Sequence, residues 1–88
     1  MMVGTVVFSK KGRDKRQPFV VIETADDFVF LVDGKLRPLA KPKRKKVKHV
    51  QPTKTVADLS LYAQRGLQDA DIRKLLLPFS EQEVSSIV

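Results

Sequence analysis

Lysine and arginine side chains fall into two dense clusters, and their types and spacing favour the binding of anions. The first cluster surrounds a single acid, Asp14, and consists of Lys10, Lys11, Arg13, Lys15 and Arg16. The second contains no carboxylate between its first and last members, which are Lys35, Arg37, Lys41, Lys43, Arg44, Lys45, Lys46 and Lys48. Lysines supply point charges, whereas arginines supply planar forks that match phosphate oxygens. We expect Asp14 to orient Arg13 or Arg16 through a local salt bridge.

The charge is divided unevenly along the chain. The 88 residues hold 17 Lys+Arg and 10 Asp+Glu, a formal net charge of +7. Residues 1–50 carry a net charge of +8, whereas residues 51–88 carry −1. Positively charged side chains that are close in the sequence repel one another unless an anion lies against them. The distribution therefore favours an interaction surface for a polyanion over a merely solvated charged face.

Residue types that serve catalysis or metal binding are scarce. The sequence has no cysteine and one histidine, His49, so the usual Cys/His zinc cluster is excluded. His49 shares a strand face with Val47, which favours a structural histidine. Asp26 and Asp27 are adjacent, which suits a turn better than an acid–base pair. With no phosphate-binding loop or nucleophile motif, the sequence predicts a protein that is not an enzyme and uses no cofactor, metal or small-molecule substrate.

Five short segments have the composition of β-strands. They are residues 4–9, 19–24, 28–33, 35–39 and 47–50. Gly12 allows the reversal between the first two strands, and Asp33-Gly34 marks a hairpin before the fourth. Pro38 confines that fourth strand to an edge or an end. The run 41–46 combines proline with closely spaced cations and is predicted to be a loop.

Strands at this spacing, with no helix between them, predict a mainly β fold: a small five-stranded antiparallel barrel over residues 1–53. Period-2 alternation assigns six side chains to the barrel interior: Val6, Phe8, Val20, Ile22, Val29 and Leu31. Several strands are apolar at consecutive positions, so their outer face also needs a cover. We expect the C-terminal extension, residues 54–88, to supply it.

The C-terminal extension is predicted to contain one or two short α-helices. The first spans residues 69–77, with Asp69 as its N-cap and Pro78 as its end. The capping-box spacing from Ser80 to Glu83 predicts a second short helix. Residues 56–63 fit both a strand and a helix pattern, and the two interpretations stay open.

The ordered motifs of the chain resemble a known family. Gly4-Thr-Val-Val-Phe-Ser-Lys-Lys-Gly-Arg-Asp-Lys15, followed by Val20-Val21-Ile22, is similar to a KOW motif. Three further blocks follow along the chain: segments 28–34 and 46–53, and the acidic start of a helix within 64–75. Their order resembles that of KOW-type large-subunit ribosomal proteins of the "fourteen-e" kind and their short bacterial relatives. The resemblance covers about residues 3–77. The succession of four blocks is more specific than the short KOW motif alone.

The resemblance implies an SH3-like barrel that binds RNA, chiefly ribosomal RNA or a ribosomal particle, without catalysis. By position it assigns to RNA binding Lys10, Lys11, Arg13, Lys15, Arg16, Lys43, Arg44, Lys45, Lys46 and Lys48. The cationic run adds Arg37 and Lys41. Each aromatic residue is interpreted as core, because most lie in apolar strands or beside the helix, so we expect recognition of phosphates and RNA shape.

The alternative function is an SH3-like protein-interaction module that binds an acidic partner. The absence of tryptophan and the single tyrosine argue against an aromatic cage. Exposure of residues 75–77 or 87–88 would favour a protein partner through the C-terminal segment. Double-stranded DNA is a weaker option.

The expected location is the cytoplasm, with no membrane partner. The apolar start of the chain, residues 1–8, has no cationic segment before it and is too short to cross a bilayer. The absence of cysteine agrees with a reducing compartment.

Overall fold

The computed structural model of the chain describes residues 1–85, with side chains as far as Ser80. Its strands are β1 (Thr5–Ser9), β2 (Pro18–Ala25), β3 (Phe28–Val32), β4 (Lys43–Lys46) and β5 (Val50–Val56). A 3-10 helix, Val47–His49, joins β4 to β5, and a second one, Leu59–Tyr62, precedes the α-helix α1 (Asp69–Ser85). The predicted fold class, mainly β with five short antiparallel strands and a C-terminal helix, is confirmed.

All five strands belong to one antiparallel sheet in the order β4-β3-β2-β1-β5. The central strands β1 and β2 pair with Val6 opposite Val20, while β1 pairs with β5 on its other side, with Ser9 opposite Val50. The sheet is barrel-like but not closed, because β4 and β5 are its two edges. Residues from four strands nevertheless meet in one interior cluster, so the sheet curls around it.

Two apolar clusters lie on opposite faces of this sheet. The interior cluster consists of Val7, Phe19, Val21, Val29, Leu31 and Val50. On the outer face, Val6, Val20 and Val32 pack against Ile72 and Leu76 of α1. Burial of side chains of this size stabilises the fold by about 1.5–3 kcal/mol each. The helix α1 of the C-terminal extension thus packs on the outer face of the sheet.

The predicted interior set was wrong in part, because it combined residues from both faces. Val29 and Leu31 lie inside, as expected. The remaining four lie on the helix side of the sheet: Val6, Phe8, Val20 and Ile22. Alternation separates the two faces of a strand, but when both faces are apolar it does not show which one is the interior.

Three further secondary-structure assignments were wrong, at residues 35–39, 41–46 and 47–50. The predicted strand at 35–39 is a turn, since Asp33 Oδ1 accepts hydrogen bonds from the backbone N–H groups of Lys35 (2.8 Å) and Arg37 (2.9 Å). The predicted loop at 41–46 contains β4. The last strand begins only at Val50, after the 3-10 helix, and extends the sheet to Val56, beyond the expected end of the barrel at residue 53.

The helix α1 starts at Asp69 as predicted, but the role of Asp69 and the end of the helix differ from the prediction. Asp69 Oδ1 accepts a hydrogen bond from the backbone N–H of Leu39 (2.7 Å), so this carboxylate holds the helix against the turn that follows β3. Asp71 Oδ2 instead accepts from the N–H of Gln68 at the helix start (2.9 Å). The helix continues past Pro78, so the two predicted helices are one. The last three residues, 86–88, lie outside the described residues.

The ambiguous segment 56–63 is neither a strand nor an α-helix over its whole length. It contains the end of β5 and the second 3-10 helix, whose N-cap Asp58 accepts from the N–H of Ser60 (3.1 Å). Within the described part of the chain, no helix is long and apolar enough to cross a membrane.

Replacement of Pro78 by Ala is expected to raise the free energy of unfolding by at least about 1 kcal/mol, because proline costs about 3 kcal/mol inside a helix. Pro78 lies within α1 and is exposed, so alanine would add a backbone donor without disturbing the core. Urea unfolding followed by circular dichroism measures the change. An unchanged or lower midpoint would contradict the continuous helix.

Candidate nucleic-acid interface

Strand alternation divides the four cations of β4 between two faces. Lys43 and Lys45 pair in register with buried residues of β3 and therefore share the interior side of the sheet. Arg44 and Lys46 point the other way and are exposed. The densest cationic run in the sequence therefore presents only half of its side chains directly to solvent.

The inward pair is held by one carboxylate, in what we call the Asp14 network. The ammonium of Lys45 donates to Ser9 Oγ (2.5 Å), to the carbonyl of Lys11 (2.7 Å) and to Asp14 Oδ1 (2.7 Å). Lys43 Nζ lies 2.6 Å from Asp14 Oδ2. The side chain of Lys45 is only 9% exposed and that of Asp14 only 14%. The network joins the loop between β1 and β2 to β4.

The network changes the role of two predicted site residues. A lysine ammonium has three hydrogen-bond donors, and Lys45 uses all three inside the protein, so it has none left for a phosphate. Lys43 remains half-buried beside it. The expected local pairing of Asp14 with Arg13 or Arg16 was wrong, because the carboxylate pairs with β4 instead.

Asp14 is ionised throughout the physiological range. Burial raises the pKa of its carboxyl, but the hydrogen bonds from Lys43, Lys45 and Ser9 together outweigh burial and hold the pKa well below its usual range. The carboxylate therefore stays available to hold both lysines at neutral pH.

The loop between β1 and β2 is preformed by its own backbone. Gly12 has a φ of +93°, as its predicted part in the reversal requires. The N–H of Gln17 donates to the carbonyl of Asp14 (2.9 Å), and that of Arg16 to the carbonyl of Ser9 (2.8 Å). The five cations of the loop are exposed around this frame: Lys10, Lys11, Arg13, Lys15 and Arg16.

Cations from the two clusters meet around His49. The backbone N–H of Lys10 donates to the carbonyl of His49 (2.8 Å), which places the loop beside the 3-10 helix that follows β4. Desolvation and the nearby positive charges of Lys11, Lys48 and Lys46 lower the pKa of the His49 imidazole. We call the exposed residues Lys10, Lys11, Lys46 and Lys48, together with Arg44 on the same side of β4 as Lys46, the basic face.

Replacement of Lys48 by Ala is expected to raise the pKa of His49, because a positive charge near the imidazole disfavours its protonation. An NMR titration of the imidazole protons measures this pKa in both proteins. The control is replacement by Ala of Lys54, which lies on β5. It removes one positive charge at a different place and should leave the pKa of His49 unchanged. Equal effects of the two variants would contradict the convergence of charge at His49.

Other predicted site residues form a second group beside the turn that follows β3. Arg13, Arg37 and Lys43 line an open cleft of about 580 Å³, together with Asp14 and Asp33. The remaining three predicted residues are exposed and belong neither to this cleft nor to the basic face; they are Lys15, Arg16 and Lys41. The structure therefore separates the twelve predicted residues into five in the basic face, three in the cleft group, one buried lysine and three exposed residues elsewhere.

Sequence reasoning placed the aromatic residues in the core, but only Phe19 is fully buried, and Phe28 lies beside the basic face. Phe28 was assigned to the core, but it is half-buried, and the guanidinium of Arg44 lies 4.6 Å from its ring centroid. The available signal was alternation: Val29 and Leu31 are interior, so Phe28 and Phe30 occupy the opposite face.

Among residues 1–80, whose side chains the structure describes, no group of three or more His, Asp or Glu side chains is placed to hold a metal ion. Comparison of the chain with protein-family models and with curated proteins finds no match. The resemblance to KOW-type proteins therefore stays a prediction.

Proposed function

We propose that this protein binds RNA through its basic face, without catalysis, and that the RNA is ribosomal RNA or part of a ribosomal particle. The observation that supports this most is the hydrogen bond from the N–H of Lys10 to the carbonyl of His49 (2.8 Å), which brings the exposed cations of the β1–β2 loop beside the 3-10 helix that carries Lys48. A surface of this kind neutralises several phosphates of one backbone and releases their condensed counterions.

The binding mode that fits the geometry is recognition of phosphates on a folded RNA. The cations stand on a short hydrogen-bonded loop, on an edge strand and on a 3-10 helix, so little backbone ordering is needed on binding. Cations on separate rigid elements match the positions of phosphates rather than the edges of bases. A cytoplasmic location goes with such a partner and stays a prediction.

The second candidate function is binding of an acidic protein, and exposed apolar side chains favour it. Met2 is 68% exposed, Val3 47% and Val56 46%, and the three line one open cleft. Apolar side chains at the surface often mark protein contacts when they are contiguous. This function would use the same cations against carboxylates.

Equilibrium binding at several salt concentrations separates the two functions. For an rRNA hairpin, the log–log slope of affinity against salt is expected to lie at about −3 to −5 if about five or six phosphates are neutralised. An acidic peptide of equal charge is expected to bind more weakly at every salt concentration. Tighter binding of the peptide, or a salt slope near zero for the RNA, would overturn RNA binding as the function.

A further inference from the structure

We infer that the cleft beside Phe28 holds one unpaired RNA base, stacked on the aromatic ring, while Lys46 and Lys48 contact the adjoining phosphates. This inference rests on the proposed RNA binding and adds a base-binding position to it. The cleft has a volume of about 540 Å³ and is lined by Asp27, Phe28, Lys46, Val47 and Lys48. It is the place where an aromatic ring and the basic face meet.

The Phe28 ring is held in position from one side. The guanidinium of Arg44 lies 4.6 Å from the ring centroid, a cation–π contact between neighbouring strands. Because Arg44 is exposed, its charge also remains next to any nucleotide that approaches the ring. A base stacked on this ring would add π contact that is independent of base identity.

The walls of the cleft are fixed by the backbone. The N–H of Val47 donates to the carbonyl of Asp27 (2.8 Å), which ties the turn between β2 and β3 to the 3-10 helix after β4. Val47 is 37% exposed and gives the cleft an apolar wall near the ring. A cleft that is formed before binding, with an aromatic ring and an apolar wall, suits a flat ligand such as a nucleobase.

Charge around the cleft defines how the nucleotide is oriented. Lys46 and Lys48 are exposed at its rim and attract the sugar–phosphate backbone. The carboxylate of Asp27 partly offsets these two positive charges within the cleft. Aromatic ring, apolar wall and flanking cations together form the arrangement that proteins use for single-stranded nucleotides.

The test compares two unstructured RNA octamers that carry the same phosphates, one complete and one with a single abasic site at its centre. We expect the wild-type protein to bind the complete octamer at least about fivefold more tightly, since one stacked base contributes that much or more. Phe28→Leu keeps the apolar volume but removes the ring, so it should abolish the difference. Phe30→Leu is the matched control, because Phe30 lies on the same strand face and does not line the cleft.

The outcomes separate this inference from the proposed function. Equal binding of both octamers by the wild-type protein overturns the base site and leaves phosphate binding intact. Binding of neither octamer, nor of an rRNA hairpin, overturns both. A difference that persists in Phe28→Leu but disappears in Phe30→Leu places the base elsewhere and also overturns the inference. The wild-type comparison needs no variant, so it decides the matter even if Phe28→Leu does not fold.

Discussion

Replacement of Asp14 by Asn is expected to lower the free energy of unfolding by about 3 kcal/mol, as is typical when one partner of a buried ion pair is removed. The ammonium of Lys45, whose side chain is only 9% exposed, would lose its charged partner. For a domain of this length, the melting temperature should fall by about 12–24 °C. Thermal and urea unfolding followed by circular dichroism measure both quantities.

Two further variants make the comparison specific. Asp26→Asn makes the same change at an exposed acid in the turn between β2 and β3, and it should alter stability by less than about 0.5 kcal/mol. Lys45→Met removes the buried ammonium and leaves Asp14 with Lys43 and Ser9, so its cost should be smaller than that of Asp14→Asn. If Asp14→Asn and Asp26→Asn are equally stable, the Asp14 network does not hold the loop to β4.

The same network gives stability a defined pH dependence. The pKa of Asp14 is lower in the folded state than its usual 3.8, so its stabilisation is complete above that value and is lost as the pH falls below it. The wild-type protein should therefore lose more stability than Asp14→Asn between about pH 5 and pH 2. Parallel loss in both proteins would show that other carboxylates cause the acid sensitivity.

The double replacement of Lys46 and Lys48 by Ala is expected to weaken binding of an rRNA hairpin by about 10- to 50-fold at about 0.1 M salt. Both side chains are exposed in the basic face, so the double variant should neutralise fewer phosphates while the domain stays folded. The log–log salt slope should become shallower by about 2, one for each phosphate that is no longer neutralised. Fluorescence anisotropy at four or more salt concentrations gives both numbers.

A control variant with the same net charge isolates position from total charge. Lys54 on β5 and Lys74 on α1 are exposed lysines outside the basic face, and their double replacement by Ala should weaken binding by less than about threefold. Equal losses of affinity in the two double variants would mean that the RNA responds to net charge and not to the basic face. Lys43 and Lys45 are unsuitable for this test because their replacement also removes the Asp14 network.

Composition and alternation were sufficient to predict the fold class. Runs rich in β-branched and aromatic residues identified β1, β2 and β3, and their apolar positions on both faces indicated a second covering layer. The start of α1 at Asp69 was also predicted. These features depend on residues close in sequence, which is why a single sequence reveals them.

The arrangement of β4 could not be predicted from local sequence. The segment Lys43–Lys46 has the composition of a loop. It becomes a strand because β3 supplies hydrogen-bond partners and because Asp14, 31 residues before Lys45 in the sequence, supplies a counter-charge. Both contributions are tertiary. For the same reason the sequence assigned Lys45 to RNA binding, whereas the structure gives it an internal role.

The most direct test of RNA binding by the basic face is a 15N-labelled NMR titration with an rRNA hairpin that has an unpaired loop. We predict that the amide signals of residues 10–16 and 44–49 shift, together with the imidazole signals of His49. The amide signals of residues 56–61, beside the exposed Leu61, should stay in place. Shifts confined to residues 56–61, or no shifts in 10–16 and 44–49 at low salt, would contradict RNA binding by the basic face.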